Sequence, residues 1–356
     1  MVNSLFLQNF RSFESVSLDF EAPSVFLCGS NGQGKTSLLE ALFYLANLRS
    51  FRTSRTSEMV RLHTPSAVIG ASVSFRDWSR QLAVELGETR KLVVDGRHVA
   101  RASEFAGSFN TVTFLPDDPE IVTGRSQVRR KFLDMFISML DRGYFTALQA
   151  YYGGVKNRNC LLRMKEANDD LIRSYHPSLA KYGAEIVRAR EIHLRVLSDF
   201  MRNILSGLKP ELADMQMKLR TVHELADPKI FEEKLERNLE KDRMNGYTTT
   251  GPHLDDFDFV ADGKSLKLYG SRGQCRATSF ALKEAEFDIV RNHSMSKDNT
   301  VVIVDDATGD LDKKTQEAFY HKISDAKQIF CSFTEIPDNF LTQRSQIVHI
   351  SAGRAV

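Results

Sequence analysis

Cysteine is scarce in this 356-residue sequence, and the four present are scattered: Cys28, Cys160, Cys275 and Cys331. No two of them form a C-x-x-C pair, which argues against a zinc site or a disulfide framework. The sequence also has no apolar run as long as a membrane span and no N-terminal segment of signal-peptide type. We therefore expect a soluble, cytoplasmic protein with no membrane segment.

The chain has no large excess of either charge, since its formal net charge is +2 at pH 7. A nucleic-acid-binding surface would therefore have to be a local basic patch. Hydrophobic residues make up 42% of the chain, so it can bury a sizeable core in one large domain or two modest ones.

The most informative stretch is GSNGQGKT at 29–36, which matches the phosphate-binding P-loop, G-x-x-x-x-G-K-[ST]. In such a loop, backbone N–H groups and the start of the following helix cradle phosphates. Lys35 adds a positive charge, and the hydroxyl of Thr36 can ligate Mg²⁺. The apolar run at 25–28 predicts a strand before the loop, and the helical spacing of apolar residues at 36–45 predicts a helix after it. The alternative is a glycine-rich turn that binds no ligand. The predicted nucleotide contacts are Gly29, Ser30, Asn31, Gly32, Gln33, Gly34, Lys35, Thr36 and Ser37.

A second signal is the apolar strand predicted at 301–304, which is followed directly by Asp305 and Asp306. In P-loop NTPases such a strand lies beside the P-loop, so Asp305 is predicted to hold Mg²⁺ together with Thr36. Asp306 is predicted to orient and activate the attacking water. Asp306 and Lys35 are thus the predicted catalytic residues, and ATP and Mg²⁺ the predicted ligands.

A third signal is the S-x-G-Q pattern of Ser271, Gly273 and Gln274. A serine at a helix start offers a hydroxyl, backbone N–H groups and the helix dipole to an anion. The P-loop already holds the phosphates of its own chain, so this motif is predicted to meet ATP bound by a second subunit. The alternative is a simple helix cap. The segment GDLD at 309–312 is either a turn or a contact across such a dimer.

Hydrophobic periodicity predicts an α/β fold in which strands and helices alternate around the P-loop. Strands are predicted within 1–28, 66–99 and 110–115, and again at 246–250, 256–260, 266–268, 301–304, 328–331 and 347–350. The region 127–243 is predicted to be mostly helical, with one long helix at 179–208, and further helices are predicted at 275–293 and 315–324. The predicted domains are 1–125 with 246–356, forming an ATP-binding head, and 126–245, forming a helical lobe.

The P-loop, the S-x-G-Q pattern and the acidic strand, in that order, resemble ABC-type ATPases. Further stretches resemble the RecF family within the SMC-like branch: LQNFR at 7–11, FLPDD at 114–118, RRKFLD at 129–134, KNRNCLL at 156–162 and TGPHLDD at 250–256. The resemblance implies an α/β fold with an ABC-type P-loop ATPase head domain and an inserted, mostly helical second lobe.

The resemblance also implies an ATP-dependent DNA-binding protein of recombinational repair, replication-gap processing and the SOS response. ATP would drive homodimerisation and clamping on DNA, and slow, DNA-stimulated hydrolysis would release it. The implied partners are RecO, RecR and DNA, both duplex and single-strand/double-strand junctions, bound without sequence preference. Two alternatives remain: a non-hydrolysing ATP-sensing scaffold, and another SMC-like ATPase such as a phage-defence protein.

The sequence departs from the family pattern at Leu254, Arg272, Cys275 and Gly309-Asp310, which bears on nucleotide sensing and on the dimer contact. Ser332 and Thr334 resemble hydroxyl residues of the family. The arginines at 49–61 could approach phosphates or lie in a solvated loop. Any DNA contact is predicted to be with the phosphate backbone. The candidates Arg129, Arg130, Lys156 and Arg158 could instead pair with carboxylates inside the lobe.

Overall fold

The computed structural model describes residues 1–75, 78–105, 107–164, 166, 168–293, 299–306, 313–336 and 344–355. The chain divides into two compact units: unit 1 comprises Met1–Pro116 and Phe287–Val356, and unit 2 comprises Asp117–Glu286. The sequence placed its domain boundaries elsewhere, at 125/126 and 245/246, and that assignment of head and helical lobe stays a prediction.

The first sheet of unit 1 is antiparallel, with strand order β2-β1-β4-β5-β6-β7. Alternating side chains explain its one-sided burial: Leu5 and Leu7 are buried, whereas Phe6 between them is 39% exposed. The strands, numbered in chain order, are β1 (Val2–Phe10), β2 (Phe13–Asp19), β4 (Ala67–Phe75), β5 (Trp78–Leu86), β6 (Lys91–Val94) and β7 (Arg97–Val99).

The second sheet of unit 1 has the order β15-β14-β3-β13-β12-β8, and all neighbours except β15 and β14 are parallel. Its central strands are buried along their length, as expected for a parallel sheet covered on both faces. The strands are β3 (Ser24–Cys28), β8 (Asn110–Phe114), β12 (Thr300–Asp305), β13 (Gln328–Phe333), β14 (Ser345–Ser351) and β15 (Arg354–Ala355).

Helix α1 (Lys35–Asn47) follows β3 and contacts strands of both sheets of unit 1. It is buried almost all round, because one face meets each sheet. The other helices that lie wholly in unit 1 among the described residues are α2 (Ala102–Phe105) and α12 (Lys313–Ile323). Helix α11 (Arg272–Asn292) begins in unit 2 and ends in unit 1.

Unit 2 is built around the long helix α7 (His176–Leu208), which packs against several helices and a strand of the unit. The other helices are α3 (Glu120–Thr123), α4 (Ser126–Leu140), α5 (Arg142–Leu162), α6 (Asp169–Arg173), α8 (Pro228–Arg237), α9 (Leu239–Asn245) and α10 (Leu266–Tyr269). A small sheet of order β11-β10-β9 completes it: β9 (Gln216–Arg220), β10 (Asp256–Ala261) and β11 (Lys264–Ser265). Among the described residues, no helix has the length and apolarity needed to cross a membrane.

Unit 2 departs from the sequence prediction at three places. Strand β9 lies in the region predicted to be helical, and 266–268 forms helix α10 rather than a strand. The strand predicted at 246–250 is also wrong. There the N–H groups of Thr248 and Thr249 donate to the side chains of Asn159 and Asp242, so side chains satisfy backbone groups that a strand would pair.

A buried ion-pair cluster links α5, α7 and α9 in unit 2. Arg158, which is 0% exposed, donates to Asp242 at 2.7 Å and to the Thr248 hydroxyl at 2.8 Å. A second guanidinium nitrogen lies 3.3 Å from Nε2 of His176. Burial, followed by the positive charge of Arg158, lowers the pKa of His176 from 6.5 to about 4, although Glu236 opposes the shift.

This pKa shift predicts a pH-dependent stability. Because the unfolded chain protonates His176 near its ordinary pKa of 6.5 and the folded chain only near 4, folding should lose stability as the pH falls through that window. His176→Gln keeps an acceptor but cannot titrate, so we expect its urea unfolding midpoint to fall less between these pH values. Above about pH 7 the difference between the two proteins should be constant, because His176 is neutral in both states. Parallel midpoint curves across the whole range would contradict the assignment.

Candidate nucleotide-binding site

The P-loop leaves the end of β3 and runs into the start of α1. Its glycines Gly29, Gly32 and Gly34 have φ values of +153°, +80° and +117°, which are backbone conformations that residues with a Cβ atom rarely adopt. Ser30, Asn31 and Gly32 are exposed, Gln33 is half-buried, and Ser37 is buried in α1. The geometry is that of a phosphate-binding loop, while the contacts of the individual residues with nucleotide stay predictions.

The side chain of Lys35 folds back over this loop. Its Nζ donates to the carbonyl oxygens of Gly29 at 2.5 Å and Ser30 at 2.9 Å, and the residue is only 8% exposed. The ammonium group is therefore held against the same segment whose N–H groups would face an anion. An ammonium in this position can add its charge to phosphate oxygens held by the loop.

Thr36 and Asp305 meet at the carboxyl edge of the parallel sheet, although 269 positions separate them in sequence. The Thr36 hydroxyl donates to Oδ1 of Asp305 at 3.0 Å, and the Ser332 hydroxyl donates to the same oxygen at 2.7 Å. Asp305 is 6% exposed, and burial raises its pKa against the opposing effect of the two hydroxyls. A cation beside it would favour the ionised form.

These oxygen ligands fit Mg²⁺, which prefers oxygen and is held by one or two carboxylates together with substrate phosphates and water. The part of the chain that the structure describes contains no group of three or more His, Cys, Asp or Glu residues suited to a metal. A single carboxylate beside a hydroxyl at the end of a P-loop is the set that a nucleotide-bound Mg²⁺ uses.

Asp306 differs from Asp305 in both exposure and backbone conformation. It is exposed, and its φ of 49° lies in the left-handed region that costs energy for most side chains. The two neighbouring carboxylates therefore have different surroundings, since Asp305 is buried and Asp306 is exposed. Residues 309–312, with Gly309 and Asp310, were predicted to be either a turn or a contact across a dimer, and they lie outside the described residues.

Glu40 is a site-supporting residue that the sequence reasoning missed. It lies on α1 with no exposed surface, and Arg11 donates to both its carboxylate oxygens at 2.8 and 2.6 Å. The Ser50 hydroxyl donates to it as well, and Arg52 lies 3.6 Å away. The cluster ties the turn after β1 and the segment following α1 to the P-loop helix. A carboxylate within an otherwise apolar stretch of helix was the available signal.

The S-x-G-Q segment forms a reciprocal cap at the start of α11. The N–H of Ser271 donates to Oε1 of Gln274 at 2.9 Å, and the N–H of Gln274 donates to the Ser271 hydroxyl at 3.2 Å. This is a capping box, so the cap that the sequence left as an alternative is present. Ser271, Arg272 and Gly273 are exposed. A contact with a second subunit's nucleotide stays a prediction for Ser271, Gly273 and Gln274.

Two of the predicted DNA contacts are wrong, because their side chains are buried. Arg129 is 2% exposed and pairs with Asp256 at 2.6 and 3.0 Å, and Arg158 is paired with Asp242 as described above. Their guanidinium groups therefore cannot reach DNA phosphates, and the pairing inside the unit that the sequence left open applies. Arg130 is half-buried and donates to the Asp255 carbonyl, whereas Lys156 is exposed.

The remaining residues named from the sequence have varied surroundings. Leu254 is 52% exposed, and Cys275 is buried with its thiol near the Leu266 carbonyl. The hydroxyl of Thr334 donates to Asn31 in the P-loop at 3.4 Å. In the basic segment after α1, Arg61 donates to the Ser12 carbonyl at 2.5 Å, so this arginine is bound to protein.

The carboxyl edge of the parallel sheet brings the P-loop next to the acidic strand, and the antiparallel sheet lies on the other side of the P-loop helix. This arrangement defines an ABC-type P-loop ATPase head. Residues 1–354 match the family model described as RecF/RecN/SMC N terminal domain. In keeping with that fold, the SMC head bound to the C-winged helix domain of ScpA aligns over 99% of this chain and 95% of its own, with a TM-score of 0.55 and 13% identity.

More similar relatives narrow the assignment. The DNA replication and repair protein RecF of Carboxydothermus hydrogenoformans is 32% identical over 99% of both chains. That of Lachnoclostridium phytofermentans is 31% identical over 91% of this chain and 90% of its own. A structure of the recombination mediator protein RecF with ATP covers 100% of this chain and 96% of its own, with a TM-score of 0.88 and 27% identity. The chain belongs to the RecF family.

The position of Lys35 predicts a large loss of ATP affinity on truncation. Lys35→Ala should weaken ATP binding by about 2–5 kcal/mol, the range for removing one partner of a buried charged pair. Lys91→Ala, which removes an exposed lysine that pairs with Glu85, is the matched control and should bind ATP normally. The measurement is a nucleotide titration of both variants. Unchanged affinity in Lys35→Ala would remove the P-loop as the nucleotide site.

Proposed function

We propose that this protein is an ATP-dependent DNA-binding protein of recombinational repair and replication-gap processing. The observation that carries the proposal is the pairing of Thr36 with Asp305 beside a P-loop that already holds its lysine. The full-length similarity to RecF proteins, two of whose structures are described as the recombination mediator of the RecFOR pathway, supports the choice of process.

In the proposed mechanism, the N–H groups of the loop and the start of α1 bind the ATP phosphates, and Lys35 adds its charge. Thr36 and Asp305 would hold Mg²⁺, which neutralises charge on the phosphate oxygens. Asp306 orients a water molecule toward the terminal phosphorus and accepts its proton as ADP and phosphate form. Hydrolysis is proposed to be weak and stimulated by DNA.

The proposed role of Asp306 predicts a separation of binding from turnover. Asp306→Asn should keep ATP affinity and slow phosphate release by about 10²–10⁴-fold, the contribution of a positioned acid–base group. Asp262→Asn is the matched control, because Asp262 has nearly the same backbone conformation, with φ 47°, in a hairpin of unit 2. Normal turnover in Asp306→Asn would exclude this residue as the base. No turnover in the unaltered protein would instead favour the ATP-sensing scaffold.

ATP binding is proposed to join two copies of the chain. The exposed start of α11 carries the Ser271 hydroxyl and the positive end of a 21-residue helix dipole. We propose that Ser271, Gly273 and Gln274 meet the terminal phosphate held by the second copy. ATP would then lie between the copies, and hydrolysis would release them.

The two roles of Ser271 can be separated by substitution. Aspartate and asparagine both cap helices well, so Ser271→Asp and Ser271→Asn should keep the fold of α11. Ser271→Asp should abolish ATP-induced dimerisation, because its carboxylate repels the phosphate, while monomeric ATP binding persists. Ser271→Asn is the neutral control and should still dimerise. Sedimentation with ATP measures both, and equal dimer fractions would reduce the motif to a helix cap.

We propose that the protein binds the phosphate backbone of DNA without preference for base sequence. RecO and RecR are proposed as its partners on the basis of its membership of the RecF family. Two of the candidates on unit 2 remain: Lys156, which is exposed on α5, and Arg130, which is half-buried on α4. Two modest basic patches joined in a dimer would explain DNA binding by a chain whose net charge is only +2.

Backbone binding predicts a steep salt dependence. The affinity for duplex DNA should fall linearly on a log–log plot against salt, with a slope of about −0.9 per phosphate neutralised, and ATP should raise it. Lys156→Ala should reduce that slope by about 1 and should weaken binding to unrelated sequences equally. Fluorescence anisotropy across a salt series, with and without ATP, provides the measurement. A DNA affinity that changes with neither salt nor ATP would contradict ATP-dependent clamping on DNA.

A further inference from the structure

The hairpin of β14 and β15 ends in a two-residue turn that is bonded to the P-loop. Ala352 and Gly353 both have left-handed backbones, with φ 48° and 71°, which is the pattern of a type I′ hairpin turn. The N–H of Ala352 donates to Oε1 of Gln33 at 2.5 Å, and the N–H of Gly353 donates to the Gln33 carbonyl at 3.1 Å. One P-loop residue therefore accepts both N–H groups of the turn.

The turn lies in a close-packed space beside the P-loop. Gly353 is buried, and a Cβ on it would lie 2.6 Å from the carbonyl oxygen of Ser12 in the turn after β1. On the preceding strand, the carbonyl oxygen of Ile350 lies only 2.3 Å from where a Cβ on Gly29 would stand. The hairpin therefore lies close to the P-loop at Gly29, where the loop begins, and bonds to it at Gln33.

We propose that Gln33 is a positioning residue through which the Ala352–Gly353 turn holds the P-loop in its phosphate-binding shape before nucleotide arrives. The glycines give the loop wide conformational freedom, and the loss of this conformational entropy on binding would weaken the affinity for ATP. A loop ordered beforehand binds more tightly because this cost is already met within the fold. The inference rests on the proposed function, since it concerns ATP bound at the P-loop.

The side chain of Gln346 provides a matched control on the same hairpin. It accepts from the Glu21 N–H at 3.1 Å and donates to the Asp19 carbonyl at 2.8 Å, so it fastens β14 to the β2–β3 connection rather than to the P-loop. Gln346→Ala therefore removes the same kind of side chain and two hydrogen bonds, one more than the single side-chain bond that Gln33→Ala removes. It leaves the bonds between the turn and Gln33 in place.

The first measurement is equilibrium ATP and ADP titration of the full chain, without turnover. Gln33→Ala should raise both dissociation constants roughly 2- to 10-fold, the equivalent of one lost hydrogen bond, whereas Gln346→Ala should leave them unchanged. Equal weakening by the two variants would overturn the proposal, because general loosening of the hairpin would explain it. Unchanged affinity in Gln33→Ala would also overturn it.

The second measurement is hydrogen exchange of the segment 345–355 in the absence of nucleotide. Gln33→Ala should speed exchange of the Ala352 amide, whose side-chain acceptor it removes, more than that of the Gly353 amide, whose acceptor is the main-chain carbonyl of residue 33. ATP should slow the exchange of both amides in the unaltered protein. An unchanged exchange rate in Gln33→Ala would overturn the proposal even if ATP binding weakened. Failure of the unaltered protein to bind ATP would contradict the proposed function instead, and exchange without nucleotide would still test the link between turn and loop.

Discussion

The structure of the candidate site depends on a single carboxylate oxygen, Oδ1 of Asp305, which accepts hydrogen bonds from Thr36 and Ser332. Strand β13 lies between β3 and β12, so the parallel register fixes both partners: Ser332 pairs with Asp305, and Phe333 pairs with Cys28 just before the P-loop. The sheet therefore determines how far the P-loop lies from the acidic strand. Burial raises the pKa of Asp305, and the hydrogen bonds from the two hydroxyls oppose that shift.

The P-loop helix and the P-loop itself are each bonded to other segments of unit 1. Glu40 on α1 accepts hydrogen bonds from Arg11 and Ser50, which satisfy its buried carboxylate oxygens. In addition, the turn after β14 bonds to Gln33 in the P-loop. These contacts leave the phosphate-binding segment supported by a helix and a hairpin, with Ser30, Asn31 and Gly32 exposed between them.

The sequence predicted the elements whose signals are local. The P-loop, the apolar strand before Asp305 and the long helix α7 are each encoded by a motif or a periodicity within one segment. Contacts between distant segments were not predictable in this way. Strand β9 becomes a strand because it pairs with β10, some 40 positions later, and Arg129 is buried because Asp256 lies beside it. The pairing of Glu40 with Arg11 joins two elements that are 29 positions apart in sequence, so no local sequence pattern predicts it.

The most direct test of this account is a double-mutant cycle on the Thr36–Asp305 pair, read as ATP affinity with Mg²⁺ and with EDTA. If the pair holds one Mg²⁺ ion, Thr36→Ala and Asp305→Asn should each weaken Mg²⁺-dependent binding, and the double variant should lose less than the sum of the two. In EDTA the three variants should bind ATP with nearly the same affinity as the unaltered protein. Additive losses with Mg²⁺, or equal losses with and without it, would contradict a shared cation site.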